Sequence, residues 1–105
     1  MNAMGKVMRT WTGVIRTEDR DDYRDYILST GLEGYRATPG NLDAWMLYRD
    51  RGDGTSEVVT VSLWESREAI SGFAGDDIDV ARFYPEDDRF LVERDLTVKH
   101  YDVVG

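Results

Sequence analysis

The sequence has no cysteine, a single histidine and two prolines. Without cysteine there are no disulfides, no thiolate metal sites and no cysteine nucleophile, a usage that fits a reducing cytoplasm. A His-pair zinc motif is missing, as are a phosphate-binding glycine loop and a Gly-x-Ser-x-Gly elbow. No apolar run approaches the ~20 residues a membrane helix needs. The opening stretch MNAMGKVMRTW carries neither an apolar h-region nor a cleavage pattern, so the expected location is cytoplasmic. Basic residues are outnumbered, with 13 Lys and Arg against 21 Asp and Glu for a net charge of −8. Phosphate neutralisation needs clustered cations, so this balance argues against nucleic acid and against anionic membrane surfaces as partners. Its plain role is solubility.

What is present is enough for one domain. A chain of 105 residues buries roughly two-thirds of its unfolded surface, which is one modest core. Residues 1–6 read as a disordered tail and residues 7–105 as the domain. The most informative stretch is Val58 to Phe83, VVTVSLWESREAISGFAGDDIDVARF. Val58 to Trp64 is β-branched and bulky, the pattern of a central strand covered on both faces. Ser66 is placed to cap a helix from Arg67 to Phe73, with Glu68 in its positive first turn. Asp76-Asp77 would cap a second short turn running to Phe83.

The rest completes this unit. Val7 to Arg16 reads as a first strand, with Val7, Arg9, Trp11, Gly13 and Ile15 on one face. Thr17 is placed to cap a helix to about Glu33, whose apolar stripe is Tyr23, Tyr26, Ile27 and Thr30. Tyr35 to Asn41 reads as a loop. Leu42 to Arg49 is a second strand, joined to the third by Arg51 to Thr55, where Asp53-Gly54 signals a hairpin. Pro85 breaks the chain before a single helical turn, and Glu93 to Val103 is the last strand. The order β-α-β-β-α-β is the split βαβ, or ferredoxin-like, pattern. The fold class is therefore α+β, with a four-stranded antiparallel sheet in the order 4-1-3-2 and both helices on one side. Strands two and three offer apolar residues to both faces, so the uncovered face requires a partner sheet. A homodimer through the sheet is the simplest solution.

With this topology, the Ser-Leu-Trp-Glu-Ser corner at residues 62–66, the following Glu-Ala-Ile and the short helix ending at Phe73, the chain resembles the antibiotic biosynthesis monooxygenase family of the dimeric α/β-barrel superfamily. The resemblance spans about residues 7–104 and is sharpest from Val59 to Phe73. It implies a dimeric barrel with a cavity between helices and sheet. It also implies cofactor-free oxidation of a phenolic or quinol metabolite. A second implied class is a non-catalytic barrel that binds a small hydrophobic molecule or acts in stress response. The haem-degrading branch ranks last. It uses an Asn on the first strand, a Trp in the helix after the corner and a His further on. The corresponding positions here are Trp11-Thr12, Phe73 and the neighbourhood of Phe83.

A cofactor-free oxygenase needs an apolar pocket, a base to form the phenolate, and donors for the oxyanion. His100 is the only side chain that ordinarily titrates near neutrality, and it reads as base or donor. Its structural alternative is a sheet-end histidine bonded to a backbone carbonyl. It lies on the strand beside the first, so it can face Arg9 or Trp11. Trp11 reads as pocket wall and N–H donor, and Arg82 as an anchor for a phenolate or carboxylate. Phe73, Phe83, Tyr84 and Tyr23 are the expected substrate-binding residues. No cofactor and no metal is expected. Asp76-Asp77 and Asp87-Asp88 lack chelating spacing and read as helix caps and solvated charge.

Overall fold

Alternation along two strands decides where the helices lie. The computed structural model describes residues 5–105. β1 (Val7–Arg16) is followed by a 3₁₀ turn (Thr17–Asp19), α1 (Arg20–Ser29), α2 (Gly31–Ala37), β2 (Asn41–Asp50), β3 (Thr55–Trp64) and α3 (Arg67–Ala74). α4 (Asp87–Phe90), β4 (Leu91–Arg94) and β5 (Lys99–Asp102) close the chain. On β3, Ser56, Val58, Thr60, Ser62 and Trp64 are 0–3% exposed, while the residues between them are half-buried. Their partners on β1 are Val7, Arg9, Trp11 and Ile15, all buried. This is the face the helices cover. Tyr23, Ile27, Leu32 and Tyr35 come down from α1 and α2, and Ile70 and Phe73 from α3.

The sheet runs β2-β3-β1-β4, with β5 also paired to β1, and every pairing is antiparallel. This is the expected 4-1-3-2 order with its last strand in two pieces. Among the described residues the opposite face carries no helix. Trp45, Leu47 and Tyr101 stand 41%, 54% and 50% exposed there. Trp45 pairs with Val61, Leu47 with Val59, and Tyr101 with Met8, so each exposed group stands beside a half-buried apolar neighbour.

Several local expectations are corrected. The last strand breaks between Arg94 and Lys99 because another segment claims its backbone. The turn after α3 is shorter than expected: Asp77 does cap it, accepting the Asp79 amide at 3.2 Å on its side chain and the Val80 amide at 3.3 Å on its carbonyl, but it does not run on to Phe83. The chain continues as a strap in which the Ala81 amide donates to the Leu96 carbonyl (2.9 Å) and the Val98 amide to the Asp79 carbonyl (2.8 Å). The first helix breaks at Thr30, where the Thr30 hydroxyl donates to the Tyr26 carbonyl at 2.8 Å and competes with the helix ladder. Tyr35 is therefore helical and buried, not in a loop. Thr17 caps nothing; its hydroxyl meets that of Ser56 at 2.7 Å. In the β2–β3 hairpin the positive φ falls on Gly52 and Gly54, while Asp53 accepts the Thr55 amide at 2.9 Å. Ser66 does cap α3, accepting the Ala69 amide at 3.1 Å. Of the expected tail, residues 1–4 lie outside the described residues, and the Lys6 carbonyl accepts the Val103 amide at 2.9 Å.

Candidate functional site

Between the strap, α1–α2 and the covered face of the sheet lies a cavity of about 30 Å³. Its walls include Trp11, Tyr23, Tyr35, Phe73, Phe83 and Tyr84, with Arg9, Arg82, Thr60 and Asp87 as the polar groups. The strap pairs with the chain between β4 and β5 and brings residues 78–84 over the cavity.

Trp11 reaches the cavity because its strand neighbour is glycine. A Cβ on Gly13 would stand 2.5 Å from the Trp11 ring, so the indole needs that bare backbone. Its N–H donates to the Asp95 carbonyl at 2.8 Å, so Trp11 offers the cavity a wall and not a donor. Phe83 packs edge-on against it, with centroids 6.1 Å apart. Phe73 lies under Tyr35 at 4.4 Å. Arg82 is exposed at the mouth, its guanidinium 5.0 Å from the Phe73 ring and 5.2 Å from the Tyr84 ring. It donates to the Phe73 carbonyl at 3.1 Å and forms no ion pair among the described residues.

Arg9 is the residue that sequence reasoning left without a role. It is 1% exposed in the middle of the covered face. One terminal nitrogen donates to the Ile78 carbonyl and faces His100 Nε2 at 3.1 Å. The other reaches the Val80 carbonyl at 3.4 Å. The strap thus wraps the guanidinium. His100 sits across the ladder from Arg9, with its side chain 5% exposed, and is not among the residues that line the cavity. Its Nδ1 lies 3.1 Å from Asp79 Oδ1. An arginine can only donate, so Nε2 must accept and Nδ1–H must donate to Asp79. Burial first, and then the Arg9 guanidinium, push the imidazole below its ordinary pKa, against the pull of Asp79. The ring is neutral and its lone pair is occupied. The signal for Arg9 was visible as a cation among Val7, Trp11 and Ile15 on an apolar strand face.

Asp87 corrects the reading of the acidic pairs. It is 4% exposed, and its carboxylate accepts the Tyr26 hydroxyl at 2.9 Å and the Tyr84 amide at 2.6 Å. Asp88, its neighbour, is solvated and pairs with Arg94 at 2.5 Å. Burial, with the Asp87 carboxylate second, drives the Tyr23 hydroxyl well above the usual tyrosine range. Tyr26 rises for the same first reason, reinforced by its bond to Asp87. These phenols stay protonated. Among the described residues no group of three or more acidic or histidine side chains is placed to hold a metal ion.

A second concavity, about 350 Å³, opens between α1–α2 and the edge strand β2. It is larger, and Arg20, Arg24 and Arg36 line it. All three are exposed, Arg24 lies beside Asp25 at 3.3 Å, and Arg36 donates to the Ala44 carbonyl at 2.7 Å. The smaller cavity is the candidate because three of its polar groups, Arg9, Thr60 and Asp87, are buried.

No family model and no curated protein matches the sequence at a significant level. Solved structures do match. A candidate antibiotic biosynthesis monooxygenase from Bacillus cereus is 18% identical with a TM-score of 0.69, over 96% of this chain and 95% of that one. Another candidate of the same name from Caulobacter crescentus is 15% identical with a TM-score of 0.67, over 98% and 93%. A Pseudomonas aeruginosa protein is 12% identical with a TM-score of 0.67 over the full length of both chains. At these identities the likeness is one of fold alone: the chain shares the ferredoxin-type α+β architecture of these structures.

Proposed function

We propose that the protein binds a phenolic small molecule in the strap-covered cavity and oxidises it with dioxygen, without a cofactor, as a homodimer joined through the open sheet face. The observation that carries this reading is an aromatic-lined cavity with a buried guanidinium in its wall. The names of the Bacillus cereus and Caulobacter crescentus structures support the same class of reaction. In such a reaction the substrate is the electron source. Its phenolate carbon attacks dioxygen, a hydroperoxide forms at that carbon, and loss of water leaves the quinone. The protein has to hold the ring, favour the ionised oxygen and exclude bulk water.

Trp11, Phe73, Tyr23, Phe83 and Tyr84 form the walls in this scheme, and Arg82 attracts the ligand at the mouth. His100 is a positioning residue, because its lone pair orients Arg9. A volume of about 30 Å³ is too small for a ring, since drug-sized ligands occupy ~300 Å³ or more. Entry therefore requires the side chains of Phe83, Tyr84 and Arg82 to swing outward while Ile78 and Val80 keep their bonds to Arg9.

Oxygen uptake and quinone absorbance over a panel of naphthols and hydroquinones test the reading. We expect turnover that falls at least ~10-fold when Phe83→Ala removes a wall. A specific observation favours a second reading, a binding protein without turnover: His100, the one histidine, does not line the cavity, and both its ring nitrogens are engaged. Saturable binding with no oxygen uptake would select it. Sedimentation equilibrium tests the dimer, and a folded single-chain species at micromolar concentration would sink it.

A further inference from the structure

The cavity wall has an imbalance of charge and of hydrogen bonds. Arg9, 1% exposed, forms no ion pair among the described residues. Three of its bonds are accounted for, to Ile78, Val80 and His100, yet its Nε donates to nothing. Tyr23 is fully buried, and its hydroxyl also has no partner. Both residues line the same cavity. An orphaned buried donor costs about 1–3 kcal/mol, and an uncompensated buried cation costs several more. Water would satisfy the donors, and about 30 Å³ admits a water molecule. Water brings no charge. Asp87 brings charge, but its oxygens are engaged by Tyr26 and the Tyr84 amide.

We infer that Arg9 Nε and the Tyr23 hydroxyl form a seat for one anionic oxygen, so that a phenol is bound there as its phenolate. The inference rests on the cavity being the ligand site, as proposed above, and goes further by naming the two donors that hold the ionised oxygen. A carboxylate is the competing anion. It prefers a fork of two parallel guanidinium N–H groups. Here Nε is the only guanidinium nitrogen without a partner, and the second donor is a separate O–H. One free N–H and one free O–H suit a single oxygen with several lone pairs. The strap supplies the rigidity: two of its carbonyls and the Asp79–His100 pair hold Arg9 from behind.

The test uses 4-nitrophenol, whose phenolate is coloured, against nitrobenzene and 4-nitrobenzoate, with the whole protein. At a pH where free 4-nitrophenol is mostly protonated, the bound probe should be coloured, its apparent pKa lowered by about one unit or more. Nitrobenzene should bind at least ~10-fold more weakly. Tyr23→Phe should weaken phenolate binding ~10-fold and leave nitrobenzene unchanged. Arg9→Gln should abolish the colour, and Tyr23→Phe keeps the test open where Arg9→Gln does not fold. Neutral bound nitrophenol, equal affinity for nitrobenzene, tighter binding of 4-nitrobenzoate, or no binding of any probe would each overturn the seat. Oxygen uptake is read separately. Phenolate-selective binding without uptake removes the oxygenase reading and keeps the seat, whereas uptake without phenolate preference does the reverse.

Discussion

The two faces of this sheet are built from the same strands with the same period, yet they reverse the usual division of labour. The covered face holds Arg9, Ser56, Thr60 and Ser62 among its aromatic residues, all 0–3% exposed. The open face presents Trp45, Leu47 and Tyr101 to solvent, beside Met8, Val59 and Val61. A single antiparallel sheet ordinarily puts apolar groups inside and polar groups outside. Each departure is informative. Buried polar groups make the covered side the candidate for handling a ligand, and exposed apolar groups mark the side where another surface is expected.

The largest effect should come from removing one indole from each face. Trp64 is fully buried, packs edge-on against Tyr35 with centroids 6.1 Å apart, and donates its N–H to Ser62 at 2.8 Å. Trp64→Ala should lower stability by about 3–5 kcal/mol in urea unfolding. Trp45→Ala should cost the isolated chain less than ~1 kcal/mol. If the open face is covered by a second copy, the Trp45→Ala loss will depend on protein concentration and the Trp64→Ala loss far less. Equal, concentration-independent losses would break the contrast between the faces.

Two neighbouring aspartates give the next contrast. Asp87→Ala leaves the Tyr26 hydroxyl and the Tyr84 amide without their acceptor, a loss of about 1–3 kcal/mol in chemical denaturation. Asp88→Ala removes only an exposed partner of Arg94 and should change stability by less than ~1 kcal/mol. Away from both faces, Ser66→Ala deletes the α3 cap seen at 3.1 Å and should cost ~1 kcal/mol. A result near zero there would mean that packing alone sets the start of α3.

The topology was legible because it depends on period and punctuation. The runs Val7–Arg16 and Val58–Trp64, the Gly52–Gly54 hairpin and the Ser66 cap are local signals. The apolar open face of β2 and β3 was legible for the same reason. The strap was not. Asp77 caps one turn, as its type suggests, and only the bonds to Leu96 and Val98 show why that turn does not run on to Phe83. Thr30 split the first helix by a side-chain bond that propensity does not weigh. The site was half legible. Its aromatic residues were named from type and place, but Arg9, Tyr35 and Asp87 were not, because burial of a charged or phenolic group depends on which distant segments close over it. His100 drew attention as the one neutral-range titrating group, and the bonds at both its ring nitrogens become visible only once Arg9 and Asp79 are in place.

The smallest effect is a slope. His100 belongs to the covered face, flanked by Arg9, Asp79 and, further off, Arg67, which itself pairs with Asp102 at 3.1 Å. Its folded pKa is lowered from the ordinary 6.5, so the unfolded chain takes up the proton first as pH falls. Linkage then gives the sign: this contribution is fully present above pH 6.5 and is lost as the pH drops toward the lower folded value. Urea midpoints of the wild type should fall over that interval, and His100→Gln should flatten the fall. If acidification instead stabilised the wild type relative to His100→Gln, the imidazolium would be gaining more from Asp79 than it loses to Arg9. The lone pair would then not be holding the guanidinium, and the rigid backing of the proposed anion seat would be lost.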